Sequence, residues 1–208
     1  MKKIIFSLLT TICLLPTQAS QITLGHPSYG GNGCPQGTVS TTLSPDQQEL
    51  SVLFDEFYVE AGGGQRSRKM ARKSCNIAIP VHVPQGFSVS IIDVDYRGYV
   101  SLPRGAQARL SSQYFLAGQR GPRYTKTFRG GFDDEYLVQD SIGLVGTVWS
   151  ACGDSVNLRV NTSMMIRTNR QKQDALATVD SADFSSGLIY HLKWKKCNSF
   201  GNDDFFGF

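Results

Sequence analysis

Val156-Asn157-Leu158-Arg159-Val160-Asn161-Thr162-Ser163-Met164-Met165-Ile166-Arg167 is the stretch whose reading decides the fold. Val156, Leu158, Val160, Thr162, Met164 and Ile166 fall on one side of an extended chain; the intervening asparagines, arginines, serine and methionine fall on the other. A period of two held over twelve residues marks a strand with one buried face, and no helical register gathers those apolar side chains into a stripe. A second such stretch lies near the C-terminus, where Leu188, Tyr190, Leu192 and Trp194 alternate with Ile189, His191, Lys193 and Lys195.

Working outward, the same period recurs. Ile77, Ile79, Val81 and Val83 oppose Asn76, Ala78, Pro80, His82 and Pro84, and two prolines on one face predict an edge strand. Leu50, Val52 and Phe54 share a face, after which Phe57 and Val59 take the other parity, which predicts a bulge or a bend. Residues 87–96 read as a strand that Arg97-Gly98 turns back into residues 99–102. Residues 108–116, 124–128, 136–138 and 143–149 are further β candidates, separated by Gly/Pro or acidic turns. No amphipathic helix and no internal repeat is evident. The expectation is an all-β chain, an antiparallel β-sandwich of jelly-roll type.

Around this body the chain divides further. Lys2 and Lys3 precede an apolar run at residues 4–15; Pro16 breaks it, and Thr17-Gln18-Ala19 offers small residues for cleavage after Ala19. Residues 1–19 are therefore expected to be a signal peptide, residues 20–37 an irregular lead-in, residues 38–197 a single sandwich domain and residues 198–208 a flexible tail. No later segment is apolar for long enough to make a membrane helix. Four of the five cysteines, Cys34, Cys75, Cys152 and Cys197, survive processing, and an even number in an exported chain predicts two disulfides rather than a zinc site, for which close-spaced pairs would be usual. Three connectivities are open; pairing in sequential order closes the shorter loops and is favoured on that ground.

The formal charge is +4, from 21 basic and 17 acidic side chains. Removal of Lys2 and Lys3 leaves 19 against 17, or +2, which by itself argues for neither nucleic acid nor any other polyanion as partner. Arg66, Arg68, Lys69, Arg72 and Lys73 crowd one stretch after Gly62-Gly63-Gly64; they read either as a basic loop for an anionic glycan, phosphate or lipid surface or, more simply and in preference, as a solvated, mobile connection.

Candidate chemistry is sparse. Gly-x-Ser-x-Gly and phosphate-binding glycine motifs are missing. Asp93 and Asp95 share one face of a strand, and Asp133-Asp134-Glu135 forms an acidic turn; such clusters could hold Ca²⁺, with Asp93 and Asp95 the candidate ligands, and no other cofactor is expected. Asp93, Asp95 or Asp133 would supply the carboxylates if the protein were a glycoside hydrolase. His82 and His191 make a metal pair only if their strands are neighbours. Tyr96, Tyr99, Tyr114 and Tyr124 lie near turns rich in arginine and glycine; aromatic rings beside hydrogen-bonding arginines suit a saccharide, so Tyr96, Arg97, Tyr99, Arg123 and Tyr124 are the candidate ligand-binding residues.

Several stretches carry a resemblance: Gly33-Cys34-Pro35; Leu43-Ser44-Pro45-Asp46; Phe54-Asp55; the run from Cys75 to Gly86, Cys75-Asn76-Ile77-Ala78-Ile79-Pro80-Val81-His82-Val83-Pro84-Gln85-Gly86; Val94-Asp95-Tyr96-Arg97-Gly98; Gly121-Pro122-Arg123-Tyr124; the opening eight residues of the Val156 strand; and Tyr190-His191-Leu192-Lys193-Trp194. In this order they resemble the domain of unknown function 4360 family of secreted fungal and bacterial proteins. The resemblance implies export, a mostly β domain and disulfides, and it transfers no activity. Functionally the sequence favours a secreted, non-catalytic module that binds a carbohydrate or cell-surface ligand; a carbohydrate-active hydrolase and a structural matrix component are the rival classes.

Overall fold

A computed structural model describes residues 21–63, 68–116, 118–141, 149–179 and 188–197. The described chain forms thirteen strands, and all their pairings are antiparallel. The first sheet has the order β1 (Thr23–Leu24), β6 (Met70–His82), β11 (Val156–Arg167), β8 (Gln107–Leu116), β9 (Gln119–Arg129), with β2 (Ser28–Gly30) also on β6. The second runs β3 (Val39–Leu43), β4 (Glu49–Phe54), β13 (Leu188–Lys196), β7 (Phe87–Leu102), β12 (Ala175–Thr178), β5 (Tyr58–Ala61), with β10 (Phe132–Asp140) on the other edge of β7.

The quoted stretch is the centre of the first sheet. β11 pairs along its whole length with β6 and over nine residues with β8, and Val156, Leu158, Val160, Thr162, Met164 and Ile166 are all buried. They face Leu50, Val52, Val94, Val100 and Ala177 of the second sheet in one continuous core. Burial of alternate side chains between two stacked sheets is the architecture that the period-two pattern predicts. The two sheets are joined across the core by aromatic contacts: Tyr96 stacks on Tyr124 at 5.5 Å, and the rings of Phe128 and Tyr136 lie 4.6 Å apart.

Both disulfides follow the sequential pairing. Cys34–Cys75 fastens the lead-in to β6, and Cys152–Cys197 fastens the segment beside the start of β7 to the end of β13. Each sheet thus has its own covalent clamp.

Three local expectations change. β6 is not an edge strand, because β1 and β2 cover its free side. Pro80 is accommodated where the cover passes from β1 to β2: its carbonyl accepts from Gly25 N at 2.8 Å, so the side on which a strand residue would also present its N–H faces that gap. The phase change after Phe54 is a break into two strands, with Phe57 turned inward against Phe54 (ring centroids 5.4 Å). Arg97-Gly98 is not a turn, since β7 runs straight through it for sixteen residues. Gly98 is small for a different reason. Tyr136, its partner on β10, lays its ring across β7 and donates from its hydroxyl to the Thr178 carbonyl on β12, at 2.7 Å. A Cβ on residue 98 would lie 2.5 Å from that carbonyl oxygen and 2.7 Å from the Tyr136 hydroxyl. The candidate strand at residues 143–149 lies outside the described residues except for Trp149, which bridges Ser90.

Candidate functional site

Odd-numbered residues of β7 from Asp93 to Ser101 face outward on the second sheet, while Val94, Tyr96, Val100 and Leu102 are buried. The register places Leu176 of β12 and Asp133 of β10 on either side of Ser101, and Glu60 of β5 beyond Leu176. One row across the outer face therefore reads Glu60, Leu176, Ser101, Asp133. Tyr99 stands one pleat away, half exposed, and its hydroxyl donates a short hydrogen bond to Asp133 Oδ1. That bond to a carboxylate holds the Tyr99 hydroxyl above the ordinary tyrosine range.

A cleft of about 490 Å³ opens here, lined among others by Glu60, Gly62, Gly63, Tyr99, Ser101 and Asp174. Its rim is built by the backbone. Gly62 and Gly63 take φ of 85° and 62°, and a Cβ there would fall 2.0 Å from the Gln173 carbonyl oxygen and 1.7 Å from Asp174 Oδ1. Only glycine allows this approach of the two loops. The opposing loop is fixed by Asn169, whose amide donates to Arg104 O at 3.0 Å and to Gln173 Oε1 at 2.6 Å. The result is an aromatic ring, a hydroxyl, an apolar floor at Leu176 and carboxylates at the walls. These are the groups that stack on a sugar ring and accept from its hydroxyls. Glu60, Asp174 and Leu176 had no signal in the sequence, because β5–β12 pairing brings them together from distant parts of the chain.

The five ligand-binding candidates do not form one site. Arg97 and Tyr99 lie on this outer face. The expectation of exposure is corrected for Tyr96 and for Tyr114, which are 0% and 2% exposed. Tyr96 points into the core because it shares the parity of Val94, and its hydroxyl is in a short hydrogen bond with that of Tyr114. Burial drives the Tyr96 hydroxyl far above the ordinary value and raises Tyr124 as well. Tyr124 is half-buried against Tyr96. Arg123 is on β9, on the outside of the other sheet, where its Nε donates to Gln113 Oε1 at 3.3 Å.

Asp93 and Asp95 share the outer face of β7, and among the described residues no group of three or more histidine, cysteine, aspartate or glutamate side chains is placed to hold a metal ion. Two carboxylates fall well short of the six to eight oxygens that Ca²⁺ takes. Asp133 sits opposite Ser101, six residues along β7 from Asp95 and so roughly 20 Å away. That exceeds the ~5–9.5 Å between the carboxylates of a glycoside hydrolase, whereas Asp93 and Asp95, two residues apart on one face, are spaced by about 6.7 Å, within it. His82 on β6 and His191 on β13 belong to different sheets; His82 Nδ1 is 2.7 Å from Ser155 Oγ.

The strands of the two sheets differ in charge. The six strands of the first sheet carry no aspartate or glutamate. Their cations are Arg72 and Lys73 on β6, Arg109 on β8, Arg120, Arg123, Lys126 and Arg129 on β9, and Arg159 and Arg167 on β11. The strands of the second sheet carry Glu49, Glu60, Asp93, Asp95, Asp133, Asp134, Glu135 and Asp140 against Arg97 and the three lysines of β13.

Fold and site together define a disulfide-bonded antiparallel β-sandwich with an open polar and aromatic cleft on one sheet. A family model described as Domain of unknown function (DUF4360) matches residues 20–197, and the chain belongs to that family. An uncharacterized secreted protein of Arthroderma benhamiae is 35% identical over 173 residues, which is 83% of this chain and 70% of that relative. The chain is a secreted protein, and its two disulfides are consistent with that compartment. Among solved structures, that of TmCBM61 in complex with beta-1,4-galactotriose aligns over 82% of this chain and 88% of its own, at 11% identity and a TM-score of 0.28, too loose a superposition to bear on ligand. No helix among the described residues is long and apolar enough to cross a membrane.

Proposed function

We propose that the protein is a secreted, non-catalytic binding module that takes a saccharide of a cell surface or of the surrounding matrix in the cleft of the second sheet. The observation that carries this reading is Tyr99, its hydroxyl fixed by Asp133, standing over a cleft whose walls include Glu60 and Asp174. The ring offers a flat apolar face to a sugar. The carboxylates accept from hydroxyls, and Arg97, on the same face of β7, donates to ring or glycosidic oxygens.

The test is a screen of neutral oligosaccharides on immobilised protein, followed by titration calorimetry of the best binder. Tyr99→Ala is expected to weaken binding at least tenfold, consistent with the ~1–3 kcal/mol that an aromatic contact contributes. An unchanged affinity removes Tyr99 and the cleft from the reading. Release of reducing ends from the bound oligosaccharide, abolished by Asp133→Asn, would replace it with the hydrolase.

A further inference from the structure

We propose that the outer face of the first sheet is a second binding surface, for an extended anionic polysaccharide bearing carboxylate or sulfate groups. All seven arginines of its strands are exposed. The register arranges them in rows. Arg72, Met165 and Arg109 stand side by side on β6, β11 and β8; one pleat further, Arg167, Gln107 and Arg129 stand side by side on β11, β8 and β9. With strands about 4.8 Å apart and successive outward residues about 6.7 Å apart, cations recur roughly every 7–10 Å over this end of the face.

The other end repeats the arrangement. Arg159 lies over the Phe115 ring at 5.9 Å, and Gln113 Oε1 accepts from both Arg120 and Arg123. Gln113 also donates to the Gly121 and Pro122 carbonyls, so the side chain that seals the β8–β9 irregularity holds two guanidinium groups in place. Between the two ends runs a floor of small polar residues: Ser74, Ser163, Ser111 and Thr125 in one row, Asn76 and Asn161 in the next.

Like charges at this density repel, and no acidic residue on any strand of the sheet offsets them. The bound state supplies the missing anions. Arginine is the fitting cation, because its planar fork pairs with carboxylate and sulfate through two parallel hydrogen bonds. The hydroxyl and amide floor fits a hydroxyl-rich chain. It presents no row of rings for stacking bases, as single-stranded nucleic acid would need, and no apolar band for entering a bilayer. The partner chemistry is therefore that of an acidic glycan met outside the cell.

The test is binding of the full mature chain to heparin (sulfated) and polygalacturonate (carboxylated), with neutral dextran, duplex DNA and phosphatidylserine vesicles as comparisons, in 50 and 200 mM salt. The expected result is binding to at least one acidic polysaccharide, weakened about tenfold or more by the higher salt. Arg72→Ser/Arg109→Ser/Arg167→Ser is expected to reduce that affinity at least tenfold with unchanged melting temperature. Single Arg109→Ser, which keeps the fold if the triple variant does not, is expected to reduce it twofold or more. Tyr99→Ala should leave it unaltered, so failure here and failure of the saccharide cleft are separate results. Three outcomes overturn the proposal: no acidic polysaccharide is retained at 50 mM salt, DNA or vesicles bind as tightly as the glycans, or the arginine variants bind as the parent does.

Discussion

The outer faces of the two sheets start from the same rule and end as opposites. On both, inward side chains are apolar and alternate residues are left over for solvent. On the first sheet those left-over positions hold exposed arginines among serine, threonine and asparagine, without an acid on any strand. On the second they hold Glu60, Asp93, Asp95, Asp133 and Glu135 around Tyr99 and a cleft. The lesson is that the fold constrains only half of each strand. The other half is free to carry function, and here it has been spent in two contrary directions.

The clamps test whether the two halves of the molecule are comparably held. Replacing Cys34 and Cys75 by serine should lower unfolding free energy by about 3–5 kcal/mol, and replacing Cys152 and Cys197 should do the same, as their loops are of similar length. Urea unfolding measures both. A loss below about 1 kcal/mol for one pair would show that its sheet does not depend on its clamp.

A smaller effect separates the second sheet from the first. Gly98→Ala drives a methyl group against the Thr178 carbonyl and the Tyr136 hydroxyl and should cost about 1–3 kcal/mol by thermal or denaturant unfolding. Tyr136→Phe leaves the Thr178 carbonyl without that donor and should cost about 1 kcal/mol. If Gly98→Ala is neutral, the path of Tyr136 across β7 is not what keeps residue 98 small.

The smallest effect concerns the seam between the sheets, where Asp140 ends β10. Burial raises its pKa, and the neighbouring Asp93 charge adds to this. For an acid whose pKa is raised in the folded state, the folded protein binds the proton more tightly than the unfolded chain. The penalty for ionising Asp140 is therefore absent at a pH below its unfolded pKa, grows through the window between that value and the raised one, and is complete above it. Asp140→Asn should remove this contribution and stabilise the protein near pH 7 by about 1 kcal/mol or less after solvent screening, with no gain at pH 3. Melting curves at the two pH values check the sign.

How much was legible in the sequence follows from how local each feature is. The β11 alternation needs no partner to be read, and the sandwich came with it; the clamps were read separately, from four cysteines and the shorter loops that sequential pairing closes. The continuity of β7 was hidden, because the reason for Gly98 is a ring from another strand and not a turn. The lead-in looked irregular through its glycines, yet Thr23–Leu24 and Ser28–Gly30 add the short strands that cover β6. Tyr99 and Arg97 could be nominated from one short stretch of sequence, whereas Glu60 and Asp174 meet only through the pairing of β5 with β12. Of the arginine face only the basic stretch around Arg72 stood out, and its extension over β8, β9 and β11 was hidden for another reason. A net charge of +2 after processing averages an acid-free sheet with an acidic one, and only topology assigns each strand to its side.

The most direct test is chemical-shift mapping on ¹⁵N-labelled protein, titrated separately with an acidic polysaccharide fragment and with the neutral oligosaccharide selected for the cleft. The account predicts that the acidic fragment perturbs amides of β8, β9 and β11 around Arg109, Arg123 and Arg167, and that the neutral one perturbs Gly62, Tyr99, Ser101 and Leu176. Both ligands shifting the same set of amides would contradict it.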